Sequence, residues 1–448
     1  MARIGWVATQ SAEWIAAARL MRRIGFGAAG AAVDAIAGQE PAAYLDRILA
    51  SDPDADPGAI ATPLPELTPP AKPAGDQTDD AMAAYEEQRD AQMRTLTSWW
   101  LTRMASVEEP IHEKLTLLWH NHFATSAKKV RYAAWMAVQN QALRTLKLGD
   151  FRTLAYAMLT DAAMLRWLDG IRNTAASPNE NLSREFMELF ALGHGNGYGE
   201  IDVREGARAL TGWAVGRGGQ PHVVAKDRDP QSKTVLGVSG DLDAAAFCDI
   251  VLAAPESAHF VAGRLWRQLA IDSAPPPGTL DRLVAAYGPN RDLMALTKAI
   301  LTDPEFTEHP GGMINTPTEW AVGLVRSLRV PFDARLFDLP LTKGLADTLT
   351  NLGHKPFYPP DVGGWPSGRA WLSNASTDIR FAVAVSLAGS ADLSTVEQAA
   401  AADRMDAAGY LLGIGAWTDH SAQALRKFVD NPPALVAAAA NTPENLTS

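Results

Sequence analysis

Apolar residues return every three to four positions through most of the 448-residue chain, the spacing of helices with one buried face, and runs of β-branched residues are few. The pattern predicts helices over 12–22, 41–50, 80–104, 110–122, 132–146 and 151–159. It continues over 178–192, 203–213, 242–253, 257–269, 280–287, 292–302, 318–328 and 345–352, and closes with 377–387, 394–411, 420–429 and 433–440. Two stretches break the period. Residues 51–79 cluster Pro and Asp, which predicts an extended loop wrapped over the surface. Residues 216–241 have strand character at 222–225 and 234–238, which predicts a small β-hairpin insertion. The fold expected is mostly α: a single large multi-helix domain over 1–448, with 388–448 as a helical C-terminal extension.

Composition narrows the classes. Hydrophobic residues make up 47% of the chain, which excludes a disordered protein and secures a sizeable core. Lys and Arg number 40 against 51 Asp and Glu, and a net charge of −11 argues against nucleic acid as a partner. The basic cluster Lys128, Lys129 and Arg131 is too small to reverse that. Cys248 is the only cysteine, so no intrachain disulfide and no Cys-based metal site can form. Glu13, Arg19, Arg22 and Arg23 interrupt the apolar run that a secretory signal needs. Arg22-Arg23 looks superficially like a twin-arginine signal, but Asp34 and Glu40 follow too soon. No uncharged apolar stretch approaches the roughly 18 residues of a membrane span. The expected setting is cytoplasmic and soluble, with export of the folded chain beside a signal-bearing partner as the alternative.

Several segments carry polar groups in suggestive patterns. Gly25-Phe26-Gly27-Ala28-Ala29-Gly30 has the letters of a dinucleotide-binding loop, but an amphipathic helix precedes it where a buried strand is required, so Gly25 reads as a helix end and Gly27 as a turn. In the 110–122 helix, Ile111, Leu115, Leu118 and His122 share one face, which turns His122 toward the core. His120 lies about 200° around from it, toward the surface. His122 is then either a hydrogen-bonded core histidine or the first candidate for a ligand or general base.

Ser177-Pro178-Asn179-Glu180 has the form of a capping box with proline at the first helical position. Beyond it Asn181, Glu185 and Glu188 share a face, and Arg184 can pair with Glu180 and Glu188. The helix should stop at the glycine-rich run Gly193 to Gly199, which holds His194, and Asp202 opens the next helix in a second capping pattern. Paired carboxylates with a histidine at the helix end suit a divalent metal or acid/base chemistry. The alternative is an Arg-carboxylate network tying two helices together, since caps and ion pairs account for most of these charges. In the loop 359–371, Trp365 and Trp371 either stack on a sugar or aromatic ligand, with Asp361 and Arg369 as polar contacts, or anchor the loop on the core. Asn374 and Ser376 are expected to cap the following helix.

Five ordered motifs carry a resemblance: Arg22-Arg23-Ile24-Gly25-Phe26-Gly27, Trp119-His120-Asn121-His122-Phe123, Asn179-Glu180-Asn181-Leu182-Ser183-Arg184-Glu185, Ala207-Arg208-Ala209-Leu210-Thr211-Gly212-Trp213 and Pro359-Pro360-Asp361-Val362-Gly363-Gly364-Trp365-Pro366. Together they resemble the bacterial domain of unknown function family 1800 (DUF1800), from about Leu20 to about Leu387. The resemblance implies one family domain and a helical fold. It brings no established reaction. It also implies genes neighbouring a phosphatase- or sulfatase-like protein that carries export signals. Where the family commonly has a His-Asp pair, this chain has Arg228-Asp229, so Arg228 is left out of any site.

Two functions follow as expectations. One is an enzyme whose polar site draws on His122, Glu185 and Glu188 as catalytic groups, with those three, His194 and Asp202 as ligands of a divalent metal. The other is a non-enzymatic folding or export companion of the phosphatase- or sulfatase-like neighbour, with residues 51–79 as a contact surface.

Overall fold

The computed structural model describes residues 6–73, 78–216, 218–308, 312–331, 338–339 and 342–448. Positions 74–77 of the expected wrapping loop and position 217 of the insertion lie outside the described residues.

The chain is mostly helical, and the apolar spacing marks the elements. Helices Ala12–Ile24, Pro41–Leu49, Asp79–Ser106, Ile111–His122, Ala133–Leu146 and Phe151–Leu159 build the first half. Local side chains start several helices: Asp150 accepts from the Thr153 amide at 2.8 Å, and Thr316 and Glu319 cap helix Pro317–Ser327 reciprocally. The letters of a dinucleotide loop prove to be a helix end. Gly25 leaves the 12–24 helix in extended backbone, and Gly27, at φ 69°, presses on Gly323.

Two large cores share one helix. The first gathers Leu45, Ile48, Phe151, Phe186, Phe190 and Trp266, and the second Trp100, Met104, Trp320, Phe357, Trp417 and Leu435. Helix Ile111–His122 stands between them, giving Leu115, Leu118 and Trp119 to the first and Leu117 to the second. Burial of each such side chain contributes about 1.5–3 kcal/mol. Every residue of this helix except Asn121 is buried, which corrects the one-faced picture. His120, expected at the surface, is 1% exposed and lies edge-on to Trp100 and Phe357, because the second core covers the side that the spacing assigned to solvent.

A helix this buried must satisfy its polar groups internally. Glu113 accepts from Trp100 Nε1 at 2.8 Å, from Arg103 Nε at 2.7 Å and from Arg144 at 2.7 and 2.8 Å. Burial alone would lift the Glu113 carboxyl, but Arg144 and Arg103 hold it at about 2.

Residues 62–73 run without regular structure beside helix Asp79–Ser106, where Trp99 Nε1 donates to the Thr62 carbonyl and Gln92 to that of Thr68, both at 2.9 Å. A short helix, Pro57–Ala61, precedes them, capped by Asp56. The insertion holds two hairpins rather than one: Trp213–Val215 pairs with Pro221–Val223, and Lys233–Val235 with Val238–Gly240. Helix Glu200–Ala209 ends short of the expected position because Gly212, at φ 89°, turns the chain and donates its amide to the Asn173 carbonyl. Leu236 and Gly237, at φ 46° and 81°, supply the doubly positive turn that a two-residue hairpin needs.

Other boundaries move for identifiable reasons. The expected 178–192 helix begins at Asn181 and becomes a π-helix over Phe186–Ala191. Ser177 does not cap it. Asn173 Oδ1 holds the Asn179 amide at 2.9 Å, and Asn179 Oδ1 accepts from Asn181 at 3.0 Å, which keeps 177–180 out of the helix. The 394–411 stretch breaks into Ser394–Glu397 and Arg404–Leu412. Ser373, rather than Asn374, caps helix Asn374–Ser390, in reciprocity with Ser376. Residues 388–448 feed Val396, Trp417 and Leu435 into the second core, and Trp6–Ala8 pairs antiparallel with Ala416–Thr418.

Candidate functional site

The C-terminal end of helix Ile111–His122 and the loop after residue 359 lock together. Asn121 Oδ1 accepts from the Trp365 amide at 2.8 Å, and its Nδ2 donates to Gln268 Oε1 at 3.2 Å. Gly364, at φ 89°, lies so close that a Cβ there would sit 2.3 Å from Asn121 Oδ1. Asp361 turns this loop by accepting from the Gly363 amide at 2.8 Å, and Arg264 donates to the Gly363 carbonyl at 3.4 Å.

The two histidines of the motif are held apart. Phe357 N–H donates to His120 Nε2 at 3.0 Å, which places the proton of the neutral ring on Nδ1. His122 Nε2 donates to the Phe190 carbonyl at 2.9 Å, so its lone pair is on Nδ1, buried without a described partner. Burial pushes both rings down to about 3, helped by His354 for His120 and by Arg264 for His122. His122 is thus a core histidine bonded to the backbone of the π-helix, and its Nε2 proton is committed there.

Glu188 sits on that π-helix, whose irregular ladder is frequent at functional sites, and Glu185 is the last residue of the α-turn before it. Arg184 pairs with Glu180 at 3.0 Å, Glu200 at 2.8 Å and Glu188 at 3.6 Å. Glu188 also faces His194 Nδ1 at 3.4 Å, from an imidazole whose side chain is 86% exposed. Glu185 has neither a hydrogen bond nor an ion pair among the described residues. Its half-buried carboxyl is lifted above the usual range by burial, then by the like charges of Glu188 and Asp361, against the pull of Arg184.

Asp202 is committed to the backbone, accepting from Gly199 N at 2.8 Å and Leu236 N at 2.7 Å. Of the five ligands proposed for a divalent metal, only Glu188 and His194 pair, and among the described residues no group of three or more His, Cys, Asp or Glu side chains could hold an ion. The donor set does not fit a metal centre.

The loop tryptophans are not displayed. Trp365 and Trp371 are each 5% exposed and stand edge-on to His354, with centroids 4.8 and 5.3 Å away, which removes them as a stacking platform. Asp361 and Arg369 remain exposed. A polar group beside them has no counterpart among the sequence expectations: the bonded pair Lys114 and Glu319, which lines one cavity with His354, Asp272 and Gln268. One signal was available, since Thr316-Pro317-Thr318-Glu319 has the capping-box form that places Glu319 in the first turn of a helix. At the position where the resemblance expects histidine, Arg228 pairs with Asp241 through both terminal nitrogens at 3.1 and 2.6 Å, while Asp229 takes Arg208 at 2.7 Å.

These features define a mostly α-helical protein with its polar motifs gathered where a shared helix meets a glycine-rich loop. The chain belongs to the DUF1800 family, described as a protein of unknown function, and matches it over residues 19–446 of 448. No curated protein and no solved structure matches the chain. No single described helix is long and apolar enough to cross a membrane.

Proposed function

We propose that the chain is an enzyme that uses Glu185 as its general acid or base. The observation that carries this reading is the environment of that carboxyl: half-buried, unpartnered among the described residues, and raised by burial and by Glu188 and Asp361 from separate elements. Such a group holds its proton closer to neutral pH than a free glutamate, which suits proton transfer. Arg184, whose charge acts on Glu185, and His194 and Tyr198, which face the neighbouring Glu188, are polar contacts for a substrate.

The test is a side-chain carboxyl titration of Glu185 by NMR, with turnover of chromogenic esters, phosphates and glycosides by wild type and Glu185→Gln. Expected are a titration above the ordinary carboxylate range and a loss of turnover of about 100-fold or more in the variant. Titration in the ordinary range, or equal turnover by both chains, overturns the reading.

A second reading, the partner of a phosphatase- or sulfatase-like neighbour, is favoured by Leu372, Phe381 and Val385, large apolar residues each 47% exposed on and just before helix Asn374–Ser390. Co-purification with that neighbour, abolished by Phe381→Asp, is its expected result; a chain that stays alone on co-expression defeats it.

A further inference from the structure

A second polar site lies on the other side of the same loop. A cavity of about 60 Å³ opens between helix Ile111–His122, helix Pro317–Ser327, the end of helix Pro255–Leu269 and the turn around Ser367. At a liquid-water share of about 30 Å³ per molecule, it has room for about two waters or a solute of three to four heavy atoms. Exposed Arg267 and Ser367 line its outer side.

Its inner wall is rich in unused donors. Thr318 has a single hydroxyl proton, which it donates to the His354 carbonyl at 2.8 Å. The 2.7 Å contact between His354 Nδ1 and that same oxygen therefore has Nδ1 as donor. The neutral His354 ring keeps its lone pair on Nε2, to which no described group is hydrogen-bonded. Burial holds this imidazole at about 4, so it is uncharged at neutral pH.

Lys114 spends one N–H on Glu319, whose other oxygen accepts from the Thr316 amide at 2.7 Å. No described group takes the other two. Trp371 Nε1 and Gln268 Nε2, both on residues lining the cavity, are buried without a partner. Arg23 is fully buried with all three guanidinium nitrogens unpartnered, and lies within electrostatic reach of Glu319 and Asp272, two of the walls.

Orphan buried donors are costly unless something accepts from them. We propose that this cavity binds a small oxyanion of the carboxylate class, with its oxygens accepting from Lys114, Gln268 and Trp371 and with Arg267 attracting it at the mouth. A ligand bearing an additional hydroxyl, as bicarbonate does, also meets the His354 Nε2 lone pair. The site is separate from Glu185 and stands or falls without it.

The experiment is titration calorimetry of the purified chain with formate, acetate, bicarbonate and inorganic phosphate, using wild type, Trp371→Phe and Gln268→Glu. Trp371→Phe keeps an aromatic six-membered ring at the buried position and removes the N–H together with the rest of the five-membered ring. Gln268→Glu keeps the acceptor for Asn121 and replaces the donor with a negative charge. Expected is saturable binding of at least one of the planar anions, weakened about five- to tenfold by Trp371→Phe, as for one lost hydrogen bond, and lost in Gln268→Glu. No saturable binding of any of the four anions, or binding that both folded variants retain at wild-type strength, overturns the proposal.

Discussion

Glu113 and Arg144 meet as a buried two-pronged pair, Nε to Oε1 at 2.7 Å and Nη2 to Oε2 at 2.8 Å, with both side chains 1% exposed. Arg103 reaches the same carboxylate, so one negative charge serves two buried cations. Glu113→Gln is expected to destabilise the chain by about 3–5 kcal/mol, the cost of stranding buried charge. Urea unfolding checks it; a loss below about 1 kcal/mol is the contrary result.

The contact between Asn121 and Gly364 makes a second prediction. Gly364→Ala meets both a positive φ and a collision with Asn121, so it should cost about 2–4 kcal/mol and push Trp365 toward solvent. Tryptophan fluorescence and unfolding midpoints report both effects. If the loop moves, Asp361 leaves the neighbourhood of Glu185, and the Glu185 carboxyl should titrate lower.

The histidines predict the acid limb of stability. His112, His120, His122 and His354 are all depressed by burial, to about 4, 3, 3 and 4. A depressed histidine binds its proton more readily in the unfolded chain, so its stabilising contribution is complete above the unfolded value near 6.5 and is lost as pH falls toward the folded value. The unfolding midpoint should begin to fall below about pH 6.5, with Glu113 adding its loss between about 4.5 and 2. A flat profile between pH 7 and 5 contradicts this.

Glu185 sits where its charge is disfavoured, so Glu185→Gln is expected to leave stability unchanged or raise it by about 0.5 kcal/mol while removing any proton-transfer activity. A destabilisation above about 1 kcal/mol would mean that the carboxylate is structural. Thermal unfolding of the two chains side by side settles which.

Helix positions were readable because each needs only a local repeat and a cap. The capping box at Thr316 and Glu319 and the Arg184 pairs follow from spacing alone. His120 was misplaced because no single-helix pattern reveals a second core arriving from residues more than 200 positions away, where Phe357 supplies its hydrogen bond. Trp365 and Trp371 were open to two interpretations because a Pro- and Gly-rich loop reads alike whether it faces water or folds inward around His354. Beyond the capping box that marks Glu319, the grouping of Lys114, Glu319 and His354 leaves no local pattern, because its members share no segment.

The bond between Lys114 and Glu319 spans 205 positions. At a synthesis rate of about 5–20 residues per second, roughly 10–40 s separate the making of the ammonium from the making of its carboxylate. Through that interval helix Ile111–His122 cannot adopt its final burial, because Trp320 and Phe357, which belong to the second core on its other side, do not yet exist. The first core, whose fully buried members end at Phe306, is made before Glu319, so a chain stopped before residue 319 should close that core while leaving the Leu117 and His120 side of the central helix open to chaperones and proteases.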